Sequence, residues 1–418
     1  MNLLNLPEIK SLSYLTSDAK LLFATRIVRL FAYGIISVVL ALYLAQLGFD
    51  EGHIGLLLSL TLAGDVIVSL WITTNADRIG RRRMLILGAG LMILAGLVFS
   101  IAETFIVLTV VAIIGTISPS GNEVGPFLAI EQAGLTQTIP DTHRTQIFAW
   151  YNLVGSLATA FGALVGGGTV QLLQTVGIPS LTSYRIVLLV YALLGGLLVM
   201  LFRQISTTVE VKNLPLPTAN TTLGLSKSRG IVFRLSALFA LDAFGGAFVI
   251  QSLVAYWFYV RFGVDIATIG AIFFGANIFA GLSALAAARI ASRIGLINTM
   301  VFTHIPSNIL LMLVPLMPNL PLAVLVLLAR FSISQMDVPT RQSYVMAVVD
   351  PTERSAAAGV TGIARTIGAT LSPVISGAMM RAGFLSLPFF VAGALKITYD
   401  LALYRSFRRL KTPEEKKD

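Results

Sequence analysis

The chain has 418 residues, 56% hydrophobic and only 12% charged, with a net charge of +10 and a mean hydropathy of +0.84. Soluble proteins carry about 25% charged residues, so a water-soluble globular class is excluded and a polytopic membrane protein is expected. Its positive charge does not indicate nucleic acid, because the basic residues gather at the ends of apolar runs.

Runs of roughly 18–20 apolar residues span a bilayer as helices. Backbone polar groups in lipid are satisfied only in helices or closed barrels, and unbroken runs rather than alternation select helices. The first 18 residues lack a basic start, an apolar core and a small-residue cleavage site, so no cleaved signal is expected. About twelve spans are predicted, near 19–46, 53–73, 84–102, 105–131, 146–172, 184–203, 231–260, 266–288, 298–317, 320–345, 356–380 and 386–407. The absence of cysteine excludes disulfides and thiolate metal sites.

The first span carries Arg26 and Arg29, and the second carries Asp65 halfway along. Between the second and third spans, Thr73–Met84 holds Arg78, Arg81, Arg82 and Arg83. Loops dense in arginine stay cytoplasmic. Alternation from this loop puts the N-terminus, the 203–234 stretch and the C-terminus on the cytoplasmic side as well.

The fourth span is interrupted at Ser118–Pro126 by two prolines and two glycines. Broken helices at membrane depth line cavities, so Asn122 and Glu123 are candidate site residues. Glu123, roughly 12 Å from the cytoplasmic end, is read either as a protonatable or substrate-binding acid or as a partner of Arg26 or Arg29. Glu131 ends the same span. It is expected to pair with the basic loop, where Asp77 also places a carboxylate, forming a latch that biases the conformational equilibrium.

The fifth span holds Ala158–Gly167, rich in small residues that include Gly162, Gly166 and Gly167. Its plain reading is close helix packing. The polar stretch 204–230 is expected to link two six-helix halves, 1–203 and 231–418.

Asp242 on the seventh span is either a functional acid or half of an ion pair. Arg330, Arg365 and Lys396 fall near the midplane of the tenth, eleventh and twelfth spans. Charges at that depth are costly and need a partner or a role. Either they attract an anionic substrate, or Asp242, Asp337 and Asp400 neutralise them. Asp337 and Arg341 lie four apart and can pair on one helix. His53, His143 and His304 share no metal-ligand spacing and are read as structural.

The chain also repeats itself. Ala76–Gly80 resembles Ala291–Gly295 at an offset of 215, while Thr142 and Arg144 match Thr352 and Arg354, and Gly167 matches Gly377, at 210. Glu131 falls opposite Arg341. Two halves of parallel topology follow, with a cavity open to alternating sides. The latch set is therefore Asp77, Arg78, Gly80, Arg81, Glu131 and Arg144, with Arg293, Arg341 and Arg354 in the second half. Ser292 replaces Asp77 and Leu296 replaces Arg81 in the copy, so the latch should be asymmetric.

Asp77-Arg78-Ile79-Gly80-Arg81-Arg82 resembles the signature between the second and third helices of major facilitator superfamily transporters, with Thr73 where that pattern has glycine. Ala158–Gly167 resembles the glycine-rich motif of the drug:proton antiporters in that superfamily. Ala163 stands in place of the usual proline, and Pro373 lies in the repeat partner. The arginine that such antiporters often carry in the fourth span is absent from Val110–Gly115.

The resemblance implies an all-α membrane protein of about twelve transmembrane helices in two parallel-repeat halves, with both termini cytoplasmic. It implies a monomeric secondary transporter in the inner (plasma) membrane, with a small solute, a proton or another coupling ion, and the bilayer as partners. Proton-coupled efflux by alternating access is the expected activity. Proton-coupled uptake or exchange of an anionic solute is the alternative, and a non-transporting membrane sensor the rival from another class. No phosphate-cradling loop or HExxH is present, so no enzyme, cofactor, metal or nucleic acid is expected.

Overall fold

In the computed structural model the described residues are 15–121, 126–139, 144–210, 225, 227–350, 353–408 and 410, without the side chains of 144–146, 288 and 355. Asn122 and Glu123 fall outside this set, as does the Arg144 side chain. The helices follow the predicted spans. They are α1 (Ser17–Gln46), α2 (Glu51–Ile79), α3 (Arg81–Ile101), α4 (Phe105–Ile114), α5 (Phe127–Thr138), α6 (Arg144–Thr175), α7 (Ser180–Arg203) and α8 (Arg229–Ala247). Then come α9 (Gln251–Phe262), α10 (Ile266–Ile294), α11 (Leu296–Leu313), α12 (Leu320–Ser334), α13 (Asp337–Val348), α14 (Arg354–Thr370), α15 (Ser372–Arg381) and α16 (Leu387–Phe407).

Each of four spans is divided between two helices, and the sequence shows why. The fourth stops at Ile114, before Gly115 and the proline-bearing stretch 118–126. Proline has no N–H to donate and crowds the preceding turn. The seventh divides after the pair Gly245-Gly246, whose glycines each cost about 1 kcal/mol in a helix interior. The tenth divides at Gln335–Met336, with Pro339 in the first turn of α13. The eleventh divides at Leu371, and Pro373 opens α15. Among the described residues ten helical stretches are long and apolar enough to cross a membrane, with Phe105–Ile114 a shorter apolar helix.

The repeat has a backbone form. Gly80 and Gly295 join α2 to α3 and α10 to α11, with φ of 113° and 87°. Only glycine adopts such values without strain, so the tight turn recurs with Arg293 in the place of Arg78, although Leu296, Ile297 and Asn298 replace Arg81, Arg82 and Arg83.

The chain forms two compact units. The first comprises Met1–Gly48, Gly64–Pro215 and Val264–Phe274. There α1 packs on α6 and α3 on α7. A Cβ on Gly162 would stand 2.0 Å from the Phe31 carbonyl oxygen, and one on Gly34 2.2 Å from that of Thr159. Gly167 packs likewise against Gly270, where its Cβ would lie 2.4 Å from the Ile266 oxygen. The glycine-rich motif of the fifth span is thus a packing seam.

The second unit comprises Phe49–Ala63, Leu216–Gly263 and Gly275–Asp418. There α8 packs on α14, and α11 on α16. Val232, Leu235, Phe239, Met300, Tyr344, Tyr399 and Leu403 form its buried core. Gly55 meets Gly377 at the start of α2, and a Cβ on it would lie 2.4 Å from the Pro373 oxygen. Gly55 and Gly270 are 215 apart, and Gly167 and Gly377 are 210 apart, so the two seams are repeat copies.

Candidate functional site

In the first unit a fully buried charge pair joins α1 to α5. Arg29 Nη1 lies 2.6 Å from Glu131 Oε1, and both side chains are 0% exposed. Arg29 Nη2 donates to the other carboxylate oxygen at 2.8 Å, a bidentate geometry suited to guanidinium and carboxylate. Thr25 donates at 2.9 Å, and the Tyr151 hydroxyl on α6 donates as well. Arg26 sits over the Tyr151 ring, 4.2 Å from its centroid, and donates to Asn152.

This corrects the expectation for Glu131, which was to pair with the basic loop. Glu131 lies on the face of α5 turned to α1, and Arg29 takes it. The loop is served by two other carboxylates. Asp77 accepts from Arg81 Nε at 2.8 Å across the Gly80 turn. Glu210 accepts from the backbone N–H groups of Arg81 and Arg82 at 2.6 and 3.1 Å. Those are orphan donors of the first turn of α3, and a carboxylate there also meets the positive end of the helix dipole. Arg81 and Arg82 further donate to the carbonyls of Val209 and Ile205. Glu210 was missed because it sits 129 positions from Arg81 in the polar linker. Arg78, Arg293 and Arg354 are exposed and form no ion pair among the described residues.

The second unit holds a larger network. Asp242 on α8 is almost fully buried, and three cations converge on it. Lys396 Nζ on α16 lies 2.5 Å from Oδ1. Arg365 of α14 and Arg341 of α13 lie 3.0 and 3.3 Å from Oδ2. The four-residue spacing places Arg341 Nη1 2.8 Å from Asp337 too. Arg341, read from the repeat as a latch residue, is thus buried in this network instead. Asp400 accepts from Asn308 at 3.1 Å and pairs with His304 Nδ1 at 2.8 Å. His304 is the member that the sequence reading left as structural. The signal for it was only an imidazole within an apolar span, and its partner lies 96 positions away.

The remaining candidates lie elsewhere. Asp65 accepts from Ser69 one turn along α2. Arg330 stacks on the Phe331 ring at 4.8 Å, with its Nε buried and without a hydrogen-bond partner among the described residues, and it does not touch Asp242. Of the three midplane cations, two meet at Asp242 and one does not. Both readings of the sequence retain a foothold. The carboxylates neutralise Lys396 and Arg341, while the Arg365 side chain is still 33% exposed.

Apolar broken spans, glycine seams and buried charges on facing helices define a polytopic helical transporter rather than a soluble binding protein. Residues 22–373 and 257–418 match the profile of the Major Facilitator Superfamily. The chain belongs to the Major Facilitator Superfamily. It is 33% identical over 416 residues to an uncharacterized membrane protein of Saccharomyces cerevisiae, covering 92% of this chain and 93% of that one. Among solved structures it resembles the nucleoside transporter NupG, at TM-score 0.70 and 16% identity over 94% of this chain and 100% of the other. It also resembles a D-xylose–proton symporter, at TM-score 0.69 and 16% identity over 96% and 98%. A bacterial homologue of the human lysosomal transporter Spinster, inward-facing and occupied, gives 0.70 and 15% over 93% and 96%. At these identities the solved structures establish the fold, that of a twelve-helix, two-half transporter. Fold and family together make the chain a multi-pass secondary transporter of a small solute.

Proposed function

We propose that the chain carries a small anionic solute together with a proton by alternating access. The carrying observation is the convergence of Lys396, Arg365 and Arg341 on one buried carboxylate, with Arg365 still a third exposed. An exposed guanidinium beside buried charges offers bidentate hydrogen bonds to a carboxylate or phosphate. Drug efflux, favoured by the glycine-rich motif in the sequence, loses that support because the motif's glycines are occupied in packing α6 on α1 and α10. In this reading the halves are 1–203 and 231–418, joined by 204–230, with both termini cytoplasmic. The protein works as a monomer in the plasma membrane. Glu123 and Asp242 remain its acidic candidates for coupling, with Asn122 beside the first.

The test begins with a thermal-shift screen of purified protein against anions, cations, sugars, nucleosides and drugs, since a ligand of the folded state raises its stability. Hits are then assayed in proteoliposomes under an imposed pH gradient. Anionic hits whose flux follows the gradient are expected. A panel in which only cations or neutral drugs stabilise and move would sink the anion reading. Glu123→Gln is expected to abolish gradient-driven flux while the protein stays folded. Unchanged coupling would remove Glu123 from the mechanism.

A further inference from the structure

His304 connects two parts of the second unit's network. Its Nδ1 lies 2.8 Å from Asp400 Oδ1, while its Nε2 lies 3.5 Å from Lys396 Nζ and 3.9 Å from Asp242 Oδ1. The partners set its tautomer. An ionised carboxylate only accepts and an ammonium only donates. Nδ1 therefore carries the proton towards Asp400, and Nε2 presents its lone pair to Lys396. Asn308 holds the second oxygen of Asp400, so that side is fixed.

The surroundings of His304 can be named element by element. Its own helix, α11, carries no other charged residue. From α16 come Asp400, Lys396 and the Tyr399 ring, 6.0 Å between centroids. From α8 comes Asp242. From α13 come Asp337 and Arg341, and from α14 Arg365, which meet His304 only by way of Asp242. On α12, Arg330 stacks on Phe331 and reaches the network only through its charge interaction with Asp337.

With His304 neutral, Asp242, Asp337 and Asp400 balance Arg341, Arg365 and Lys396. A proton on Nε2 upsets this in two ways. It adds one positive charge to a buried cluster, and it aims an N–H at an ammonium that itself donates. The nearest acceptor for the new N–H is Asp242 Oδ1, the oxygen that Lys396 now holds at 2.5 Å. Lys396 lies along the glycine pair of α8, where a Cβ on Gly246 would come within 3.3 Å of Lys396 Cε and 3.5 Å of its Nζ, so only the missing side chains let the lysine stem pass there.

We propose that protonated His304 replaces Lys396 on Asp242, and that the released ammonium takes the negative charge of a monoanionic solute. One proton and one anionic charge then enter together, and the cluster returns to neutrality. Coupling arises because a neutral His304 leaves Lys396 bound to Asp242, closed to the anion. This inference rests on the proton-coupled anion reading above and adds the residue that takes the proton and the one that takes the anion.

The chain has three histidines, so His53→Gln with His143→Gln leaves one imidazole. ¹⁵N-histidine NMR of that full-length protein in nanodiscs follows the protonation of His304 directly. In Lys396→Gln the midpoint is expected to rise, since the imidazolium then meets Asp242 Oδ1 without a competing ammonium, while Arg341 and Arg365 keep Oδ2. Arg330→Gln should leave it in place. A midpoint unmoved by Lys396→Gln, or moved equally by Arg330→Gln, would overturn the proposal. Transport supplies a second arm, with pyranine-loaded proteoliposomes given gradients of gluconate, pyruvate or inorganic phosphate. An anion that drives proton influx in the wild type should lose it more than tenfold in His304→Gln, and exchange of that anion across the membrane should fall with it, because Lys396 then stays on Asp242. Normal proton influx in His304→Gln would overturn the proposal and leave proton-coupled anion transport standing. If none of these anions moves protons in the wild type, the anion reading is what fails. The NMR midpoints then decide alone on the exchange at Asp242.

Discussion

At the scale of single residues, the two buried clusters differ in what their loss would do. Glu131 is the partner of a guanidinium that is 0% exposed. Removing one member of a buried pair typically costs about 3–5 kcal/mol, because the other charge is left in the interior. Glu131→Leu is therefore expected to lower thermal stability strongly. Arg29→Leu with Glu131→Leu should recover much of the loss, as apolar replacements of whole pairs often do. Melting of purified single and double variants checks this, and additive losses would contradict it. Asp242→Asn should be as damaging, because Lys396, Arg365 and Arg341 all lose their shared counter-charge.

At the scale of elements, the glycines of α6 divide into those that touch and those that do not. A side chain on Gly162 would run into the Phe31 carbonyl, whereas Gly168 has nothing within 4 Å of its added Cβ. Gly162→Val should push α1 from α6 and sharply reduce folded yield, measured by size-exclusion profile. Gly168→Val should behave like the parent. The start of α3 is a second test. Replacing Glu210 by Ala removes the acceptor of two backbone N–H groups. Loss of a helix cap costs about 0.5–2 kcal/mol, which should appear as faster amide exchange at 81–84. Unaltered exchange there would show that Glu210 does not hold the turn.

For the whole molecule, the basic loop is where conformational balance should be most tunable. The Asp77–Arg81 pair is half-exposed on the Asp77 side, and such bridges are worth about 1 kcal/mol at most, roughly a fivefold change in an equilibrium. Asp77→Asn should thus shift the balance of inward- and outward-open states, or slow their exchange, without unfolding the protein. Labelling of single introduced cysteines reads this cleanly, because the chain has none of its own. Populations and rates equal to the parent's would remove Asp77 from the latch.

The parts of this protein differ in how far they could be read before folding. The break in the fourth span was legible because Pro119 and Pro126 forbid a continuous helix locally. The divisions at Gln335 and Leu371 were not, since Pro339 and Pro373 stand just past them and fit a helix's first turn. Arg341 was readable as a partner of Asp337, one turn away. Its second contact, with Asp242 across 99 residues, was not. His304 looked inert for the same reason.

The sequence by itself determined the helical membrane class, the approximate span boundaries, the repeat and the superfamily. Each follows from contiguous patterns, because lipid requires every span to satisfy its own backbone and keep an apolar surface. The tertiary structure alone decided which carboxylate meets which cation from a distant part of the chain. Rotating a helix by one residue turns a charged side chain by about a quarter turn or more. Only packing sets that rotation, so Glu131 went to Arg29, Glu210 to the basic loop, and His304 to the centre of the network.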